Sequence, residues 1–310
     1  MEKAKRPEWL KVRAPHGENY QNIKTMLKEL GLVTVCQEAL CPNMGECWGG
    51  GTATFMLMGD TCTRACRFCA VKTGNPKGEL DKDEPYKVGE AIAKMRLDYV
   101  VLTSVDRDDL EDLGSEHFAK TIEVIKRNNK KMIVEVLTPD FNAIPELVER
   151  VVKAKPDVFA HNVETVRRLT KKVRDRRSGY DQSLQTLKIV KDLNPTQYTK
   201  TSIMFGLGET DEEVIETLTD LKSVGCDIVT FGQYLSPTDH HKKYLPIIEY
   251  STPERFQKFE KIAKDMGFLY VASGPLVRSS YKAGEFFMKG VIEKDRENQS
   301  SAIEEASVEN

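Results

Sequence analysis

No stretch of this 310-residue chain stays apolar for the roughly 20 residues that a helix needs to cross a bilayer, so no membrane span is expected. An excess of charge of either sign is missing too: 46 Lys and Arg against 48 Asp and Glu leave a formal net charge of −2. That removes the electrostatic footprint on which nucleic-acid binding rests. The opening stretch, MEKAKRPEWLKVRAPHGE, has neither the apolar h-region nor the small-residue cleavage site of a secretory signal. It carries acidic residues and no serine, which argues against an organelle transit peptide, and the expected compartment is the cytoplasm. Internal repeats and low-complexity linkers are also lacking, so nothing in the composition splits the chain.

What is present reads as one large α/β unit. Hydrophobic residues make up 40% and charged residues 30%, enough for a full core at this length. Short β-rich runs fall at 53–59, 97–104, 131–138, 157–163, 198–206 and 226–233, with a further run at 268–273. Helical patterns separate them at about 84–95, 115–128, 142–154, 181–192, 211–224 and 253–266. Thr210-Asp211 and Thr252-Pro253 supply helix starts, and Gly225 a stop. Six strand–helix units in alternation imply right-handed crossovers and a parallel sheet. They are too few for a closed eight-stranded barrel. The expected fold is therefore an open partial (β/α)6 barrel with its binding face at the strands' C-terminal ends. A doubly wound open sheet is the alternative, weakened because no G-x-G-x-x-G follows the first strand. The expected division is an extension over 1–50, the barrel over 51–275, a C-terminal segment over 276–293 and a disordered polar tail over 294–310.

Six of the seven cysteines lie between Cys36 and Cys69. A disulfide framework suits short secreted chains, so metal binding is the better reading here. Cys226, alone at the head of an apolar run, reads as a small buried hydrophobe. Cys62, Cys66 and Cys69 form C-x3-C-x2-C directly after the first strand, on a loop at the binding face. Structural zinc takes four ligands, whereas three leave a position open for chemistry. A [4Fe–4S] cluster held by three cysteines leaves one iron open in the same way. The spacing alone also fits a zinc loop completed by a distant residue. Upstream, Cys36, Cys41 and Cys47 form C-x4-C-x5-C, again three thiolates with no fourth nearby. His161 and the His240-His241 pair are remote from both triplets.

The stretch CTRACRFC, with Phe68 before its third cysteine, resembles the radical S-adenosylmethionine (SAM) superfamily signature C-x3-C-x-aromatic-C. The resemblance implies that the open iron binds the amino and carboxylate groups of SAM, which an electron then cleaves to a 5′-deoxyadenosyl radical. SIMFGLGE is similar to the superfamily's G-x-I-x-G-x-x-E pattern at Gly206 and Glu209, while Ser202 and Met204 depart from it. TSVDRDDL offers Thr103 and Ser104 at the end of the second strand as SAM contacts, and HNVETV offers Asn162 and Glu164. Each of these also reads as an ordinary strand-to-helix turn.

With the upstream triplet added, the chain resembles the lipoyl synthases over about residues 20 to 290. MGDTCTRACRFCAVKTG, YVVLTSVDRDDL, VLTPDF, HNVETV, KVRDRRSGYDQSL and SGPLVRSSYKAGEF carry the match. The resemblance implies two [4Fe–4S] clusters and SAM as cofactors. It implies sulfur insertion at C6 and C8 of an octanoyl-lysine on a lipoyl carrier protein. A second, auxiliary cluster on Cys36, Cys41 and Cys47 would supply the sulfur and be consumed. Its fourth ligand would be a serine oxygen of RSSY, Ser280 in preference to Ser279. A low-potential donor such as ferredoxin or flavodoxin, and a carrier that is either a glycine-cleavage H protein or the lipoyl domain of a 2-oxoacid dehydrogenase, follow as partners. Biotin synthases and methylthiotransferases are the nearest rivals, and the upstream triplet speaks against both. A non-catalytic iron or zinc protein is a rival of another class. Around Lys242 to Tyr244 the chain carries about three extra residues against the family pattern, and Phe205 replaces a commoner leucine.

Overall fold

The alternation of short β-rich runs with amphipathic stretches builds a parallel sheet wrapped by helices, in a computed structural model that describes residues 7–11, 17–39, 41–49, 54–95, 97–237, 243–280 and 288–298. Before the barrel come α1 (Glu18–Leu30), β1 (Val33–Thr34), α2 (Val35–Glu38) and α3 (Met44–Gly49). The first barrel strand is β2 (Thr54–Leu57); a two-strand ladder of β3 (Thr61–Cys62) and β4 (Lys72–Thr73) follows it. Then come α4 (Glu84–Met95), β5 (Tyr99–Ser104), α5 (Ser115–Asn128), β6 (Ile133–Leu137), α6 (Pro145–Lys153) and β7 (Val158–Ala160). The second half holds α7 (Arg167–Val173), α8 (Tyr180–Leu193), β8 (Tyr198–Phe205), α9 (Asp211–Ser223), β9 (Ile228–Gln233), α10 (Pro253–Asp265) and β10 (Tyr270–Ser273).

The sheet order is β1-β2-β5-β6-β7-β8-β9-β10, and every neighbouring pair is parallel except β1 with β2. The two end strands do not pair with each other among the described residues, so the sheet is open, as the sequence predicts. It is wider than six strands: the run at 268–273 joins as the parallel edge strand β10, and the N-terminal extension adds β1.

Local signals set the boundaries. Thr210 caps α9 in a complete capping box with Glu213, and Thr252 caps α10 by accepting from the Arg255 N–H. Helix α6 begins at Pro145 rather than 142 because Phe141, Asn142 and Ala143 all take positive φ, which no helix continues. Phe205 is fully buried and stacks within 5.2–5.3 Å of the Phe231, Phe256 and Phe259 rings, so the bulk that it adds over leucine is absorbed by an aromatic cluster.

At the strands' N-terminal ends, Met288 and Ile292 of the helix over 288–298 pack on Tyr99, Val101, Ile133, Val158 and Ile228. Lys289 pairs with Asp98, Arg296 with Asp157, and Asp295 accepts from Tyr198. That helix runs past Lys294, so 294–298, expected as part of the tail, are helical. Its apolar stripe and these ion pairs give 294–298 a partner that polar composition alone did not reveal. Residues 299–310 and Tyr281 of RSSY lie outside the described residues, as do His240, His241 and Lys242. With the N-terminal end of the sheet covered, the opposite end is left for chemistry.

Candidate active site

A cavity of about 580 Å³ opens at the C-terminal ends of the strands, within the usual size of a ligand site. All six clustered cysteines line it, and all are thiols. Cys62 enters from the end of β3, and Cys66 and Cys69 from the loop between β3 and β4. Cys36 on α2, Cys41 and Cys47 on α3 enter from the extension, and Ser279 and Ser280 from the segment after β10. Cys226 is elsewhere, fully buried in the core.

The radical-type loop is folded tightly by side chains that the sequence reading gave no role. Arg64, between two of its cysteines, is buried; its guanidinium donates to Asp140 at 2.7 Å, to Asp108 at 3.0 Å, to Ser178 at 3.1 Å and to Asn142 at 3.1 Å. Asp106 stands 3.4 Å away. One cation thus faces three carboxylates, which is what lets it sit out of water. Burial opposes the charge on Asp140, yet Arg64 holds its carboxyl below the usual range. Burial pushes Asp106 up to about 6, against the pull of Arg64 and with the repulsion of Asp140 and Asp108. The loop backbone is tied as well: Ala65 N–H donates to Asp175 at 2.8 Å, Arg67 N–H to the Val173 carbonyl at 2.8 Å, and Arg177 to the Thr63 carbonyl at 2.5 Å.

Cysteine sulfurs here accept hydrogen bonds suited to thiolates. Cys62 Sγ accepts from the Arg64 and Asp106 N–H groups at 3.4 and 3.3 Å, and Cys66 Sγ from Asp175 N–H at 3.3 Å. Without a metal, burial pushes Cys66 up to about 12 and Cys69 up to about 11, and raises Cys62, Cys36 and Cys41 as well. The thiols are therefore protonated at neutral pH until iron displaces the protons. Among the described residues no three Cys, His, Asp or Glu side chains converge as ligands of one ion would. A [4Fe–4S] cluster, which takes one thiolate on each iron, does not require that convergence, and two triplets of soft donors suit it.

Two buried polar atoms on the wall lack partners among the described residues: Ser104 Oγ and Asn162 Oδ1. Such orphans are rare in folded proteins unless a ligand satisfies them. Glu164 adjoins them, half-buried, with φ of 68° and its carboxylate accepting from Asn162 Nδ2 at 3.1 Å. Burial raises its pKa, opposed by Arg174. Thr103 and Phe68 line the cavity too. These polar positions fit a ligand with hydroxyl, ammonium and carboxylate groups, as SAM has. Gly206 and Glu209 are not on the wall. Glu209 accepts from the Gly206 and Leu207 N–H groups at 2.8 and 2.9 Å, bracing the loop after β8. A Cβ on Gly206, at φ 101°, would stand 2.2 Å from Gln233 Nε2 and 2.6 Å from the Glu249 carbonyl. The glycine makes room for protein, and the partial motif match gave no way to tell that from a cofactor.

Comparison with known proteins agrees with this geometry. Residues 56–221 match the model of the radical SAM superfamily, and residues 1–41 match that of the N-terminal domain of lipoyl synthase of the radical SAM family. The chain is 55% identical over 309 residues to a mitochondrial lipoyl synthase of Danio rerio, covering 98% of this chain and 77% of the relative. It is 56% identical to that of Culex quinquefasciatus, covering 97% and 79%. The chain belongs to the lipoyl synthase family. Solved structures extend the likeness of fold. Methylornithine synthase (PylB) gives a TM-score of 0.52 at 12% identity, covering 86% of each chain. Streptococcus suis SuiB bound to S-adenosylmethionine gives 0.52 at 14%, covering 74% of this chain and 54% of that one. As a lipoyl synthase the chain is a sulfur-inserting radical SAM enzyme, and its superfamily implies a [4Fe–4S] cluster and SAM. No described helix is long and apolar enough to cross a membrane.

Proposed function

We propose that this lipoyl synthase inserts sulfur at C6 and C8 of an octanoyl chain amide-linked to a carrier-protein lysine. The reading rests on one observation: two cysteine triplets and the Ser279-Ser280 pair line a single cavity from three separate segments. Cys62, Cys66 and Cys69 would hold the cluster that keeps one iron open. Cys36, Cys41, Cys47 and Ser280 would hold an auxiliary cluster, with Ser280 as an oxygen ligand poorly matched to iron–sulfur chemistry and so released readily. When bound, the first cluster with SAM supplies the radical that removes hydrogen, and the auxiliary cluster supplies sulfur.

The chain's own groups do the holding. Ser104 and Asn162, with Thr103, Glu164 and Phe68, are the proposed SAM contacts; Gly206 and Glu209 shape the adjoining loop. The apolar part of the wall, including Met56, Val105, Leu137 and Met204, suits an octanoyl chain. The carrier, an H protein or a lipoyl domain, and the donor, a ferredoxin or flavodoxin, are proposed partners. Cytoplasm is the proposed compartment, against relatives named as mitochondrial, and cell fractionation decides it. Mass spectrometry of an octanoyl-lysine peptide incubated with the protein, SAM and reductant tests the function. The expected product carries two added sulfurs. About eight iron and about eight sulfide per chain are expected for two [4Fe–4S] clusters after anaerobic purification; zinc without sulfide would end the reading.

A further inference from the structure

The loop that carries Cys62, Cys66 and Cys69 has two faces. Cys62, Arg64, Cys66 and Phe68 line the cavity, whereas Thr63, Ala65 and Arg67 do not. This second face is bound by the segment 173–177, through the Arg67 N–H to Val173, Ala65 N–H to Asp175 and Arg177 to Thr63 bonds. The same segment touches a cluster ligand directly, since Asp175 N–H donates to Cys66 Sγ at 3.3 Å. From Cys66 to the protein exterior is one hydrogen bond and a short run of backbone.

The residues flanking that contact are cationic. Lys171 and Lys172 close α7, Arg176 follows Asp175, and all three are exposed, without an ion pair among the described residues. Carboxylates of the same stretch of chain are already engaged: Asp175 with Arg177 and Asp181 with Arg167. Three positive charges within six residues of chain therefore face solvent on a protein whose net charge is −2. None of them lines the cavity, whereas Arg174 and Ser178 of the same stretch do.

We infer that Lys171, Lys172 and Arg176 form the docking surface for an acidic one-electron carrier protein, which delivers its electron through the 173–177 segment to the cluster held by Cys66. A reductant needs proximity to the cluster, not access to the cavity, and this face offers proximity with charge of the sign that steers an acidic partner. The inference rests on the proposed function, and its test separates the two.

The test is the triple variant K171E/K172E/R176E of the holoenzyme, compared with wild type under dithionite and under a reduced, strongly acidic flavodoxin. Equal 5′-deoxyadenosine formation with dithionite is expected. With flavodoxin at low salt, the variant should need on the order of tenfold more donor for half-maximal rate. The wild-type requirement should rise with added salt while the variant's barely moves. Direct titration of oxidised flavodoxin should show the same loss of binding. The neutral variant K171Q/K172Q/R176Q, which spares the C-terminus of α7 its adverse charges, should fall between. Equal flavodoxin dependence in wild type and both variants overturns the docking surface, as does loss of carrier-protein binding with flavodoxin binding intact. Failure of wild type to cleave SAM even with dithionite would instead overturn the proposed function.

Discussion

The two cysteine triplets face one cavity but are built in opposite ways. Cys62, Cys66 and Cys69 sit on a loop whose intervening residues are tied to distant elements: Thr63 to Asp108, Arg64 to Asp140 and Ser178, Ala65 to Asp175, Arg67 to Val173. Cys36, Cys41 and Cys47 sit on two short helices and the turn between them, in a layer that largely closes on itself. Cys41 N–H donates to the Cys36 carbonyl at 3.0 Å and Cys47 N–H to the Asn43 carbonyl at 2.9 Å. That layer is joined to the barrel by the pairing of β1 with β2, and to the C-terminal segment by Asn43 Nδ2, which donates to the Leu276 carbonyl at 2.6 Å. The first triplet is thus framed by the barrel before any metal arrives. The second depends on an extension, paired to the barrel edge through β1, meeting a C-terminal segment.

The sharpest way to break this comparison is to remove one cysteine from each side. Cys66→Ala should abolish 5′-deoxyadenosine formation outright. Cys41→Ala should keep some SAM cleavage yet yield no thiolated peptide. Thiolated product from Cys41→Ala, read by mass spectrometry, would show that the two triplets do not divide the work. Next in size is Arg64→Ala, which strands buried Asp140 without its cation and leaves Asp108 only Arg177. Breaking a buried pair from one side costs about 3–5 kcal/mol, and urea unfolding of the metal-free chain should show a loss on that order. Arg64→Lys should recover only part of it, because a single ammonium cannot reproduce a planar fork that reaches several partners at once. An unchanged unfolding midpoint in Arg64→Ala would mean that the loop is not preformed. Ser280 tests the other side: Ser280→Cys should retain the auxiliary cluster but slow the second sulfur insertion, and Ser280→Ala should leave it labile. Wild-type sulfur yields from both would transfer the ligand role to Ser279.

How much of this was legible in the sequence follows the same divide between local and distant causes. Helices α4 and α5 occupy the ranges that their periodicity predicts, and the Thr210 and Thr252 caps work as their spacing says. Those are local signals, carried within a few residues. Helix α7 escaped notice because RRLTKKV shows few apolar positions; its burial comes from Leu169, Thr170 and Val173 meeting a core assembled from elsewhere. The cysteines and Ser280 announced themselves through spacing and resemblance. Arg64 did not, since its partners stand 44, 76 and 114 residues away and no local pattern brings them together. Gly206 and Glu209 carry the motif's letters, but the letters do not say that these groups also meet the protein itself, Glu209 on the Gly206 N–H and Gly206 against Gln233 and Glu249.

The smallest effect expected is at Asn43, and it tests the seam rather than either triplet. Asn43 is buried, lies between Cys41 and Cys47, and spends its amide on the Leu276 carbonyl, four residues before Ser280. Asn43→Ala removes one hydrogen bond, a loss of about 1 kcal/mol, and leaves all seven proposed cluster ligands in place. Global stability should hardly move. If the extension and the C-terminal segment are held together by this bond, the loss should fall on one cluster alone. Chelator challenge of the loaded protein should then resolve two phases of iron release. The phase assigned to the auxiliary site should quicken about fivefold, the rate equivalent of 1 kcal/mol, while the other keeps its wild-type rate. Phases quickened equally would place Asn43 in the general fold, and the contrast between a framed triplet and a seam-dependent one would lose its structural basis.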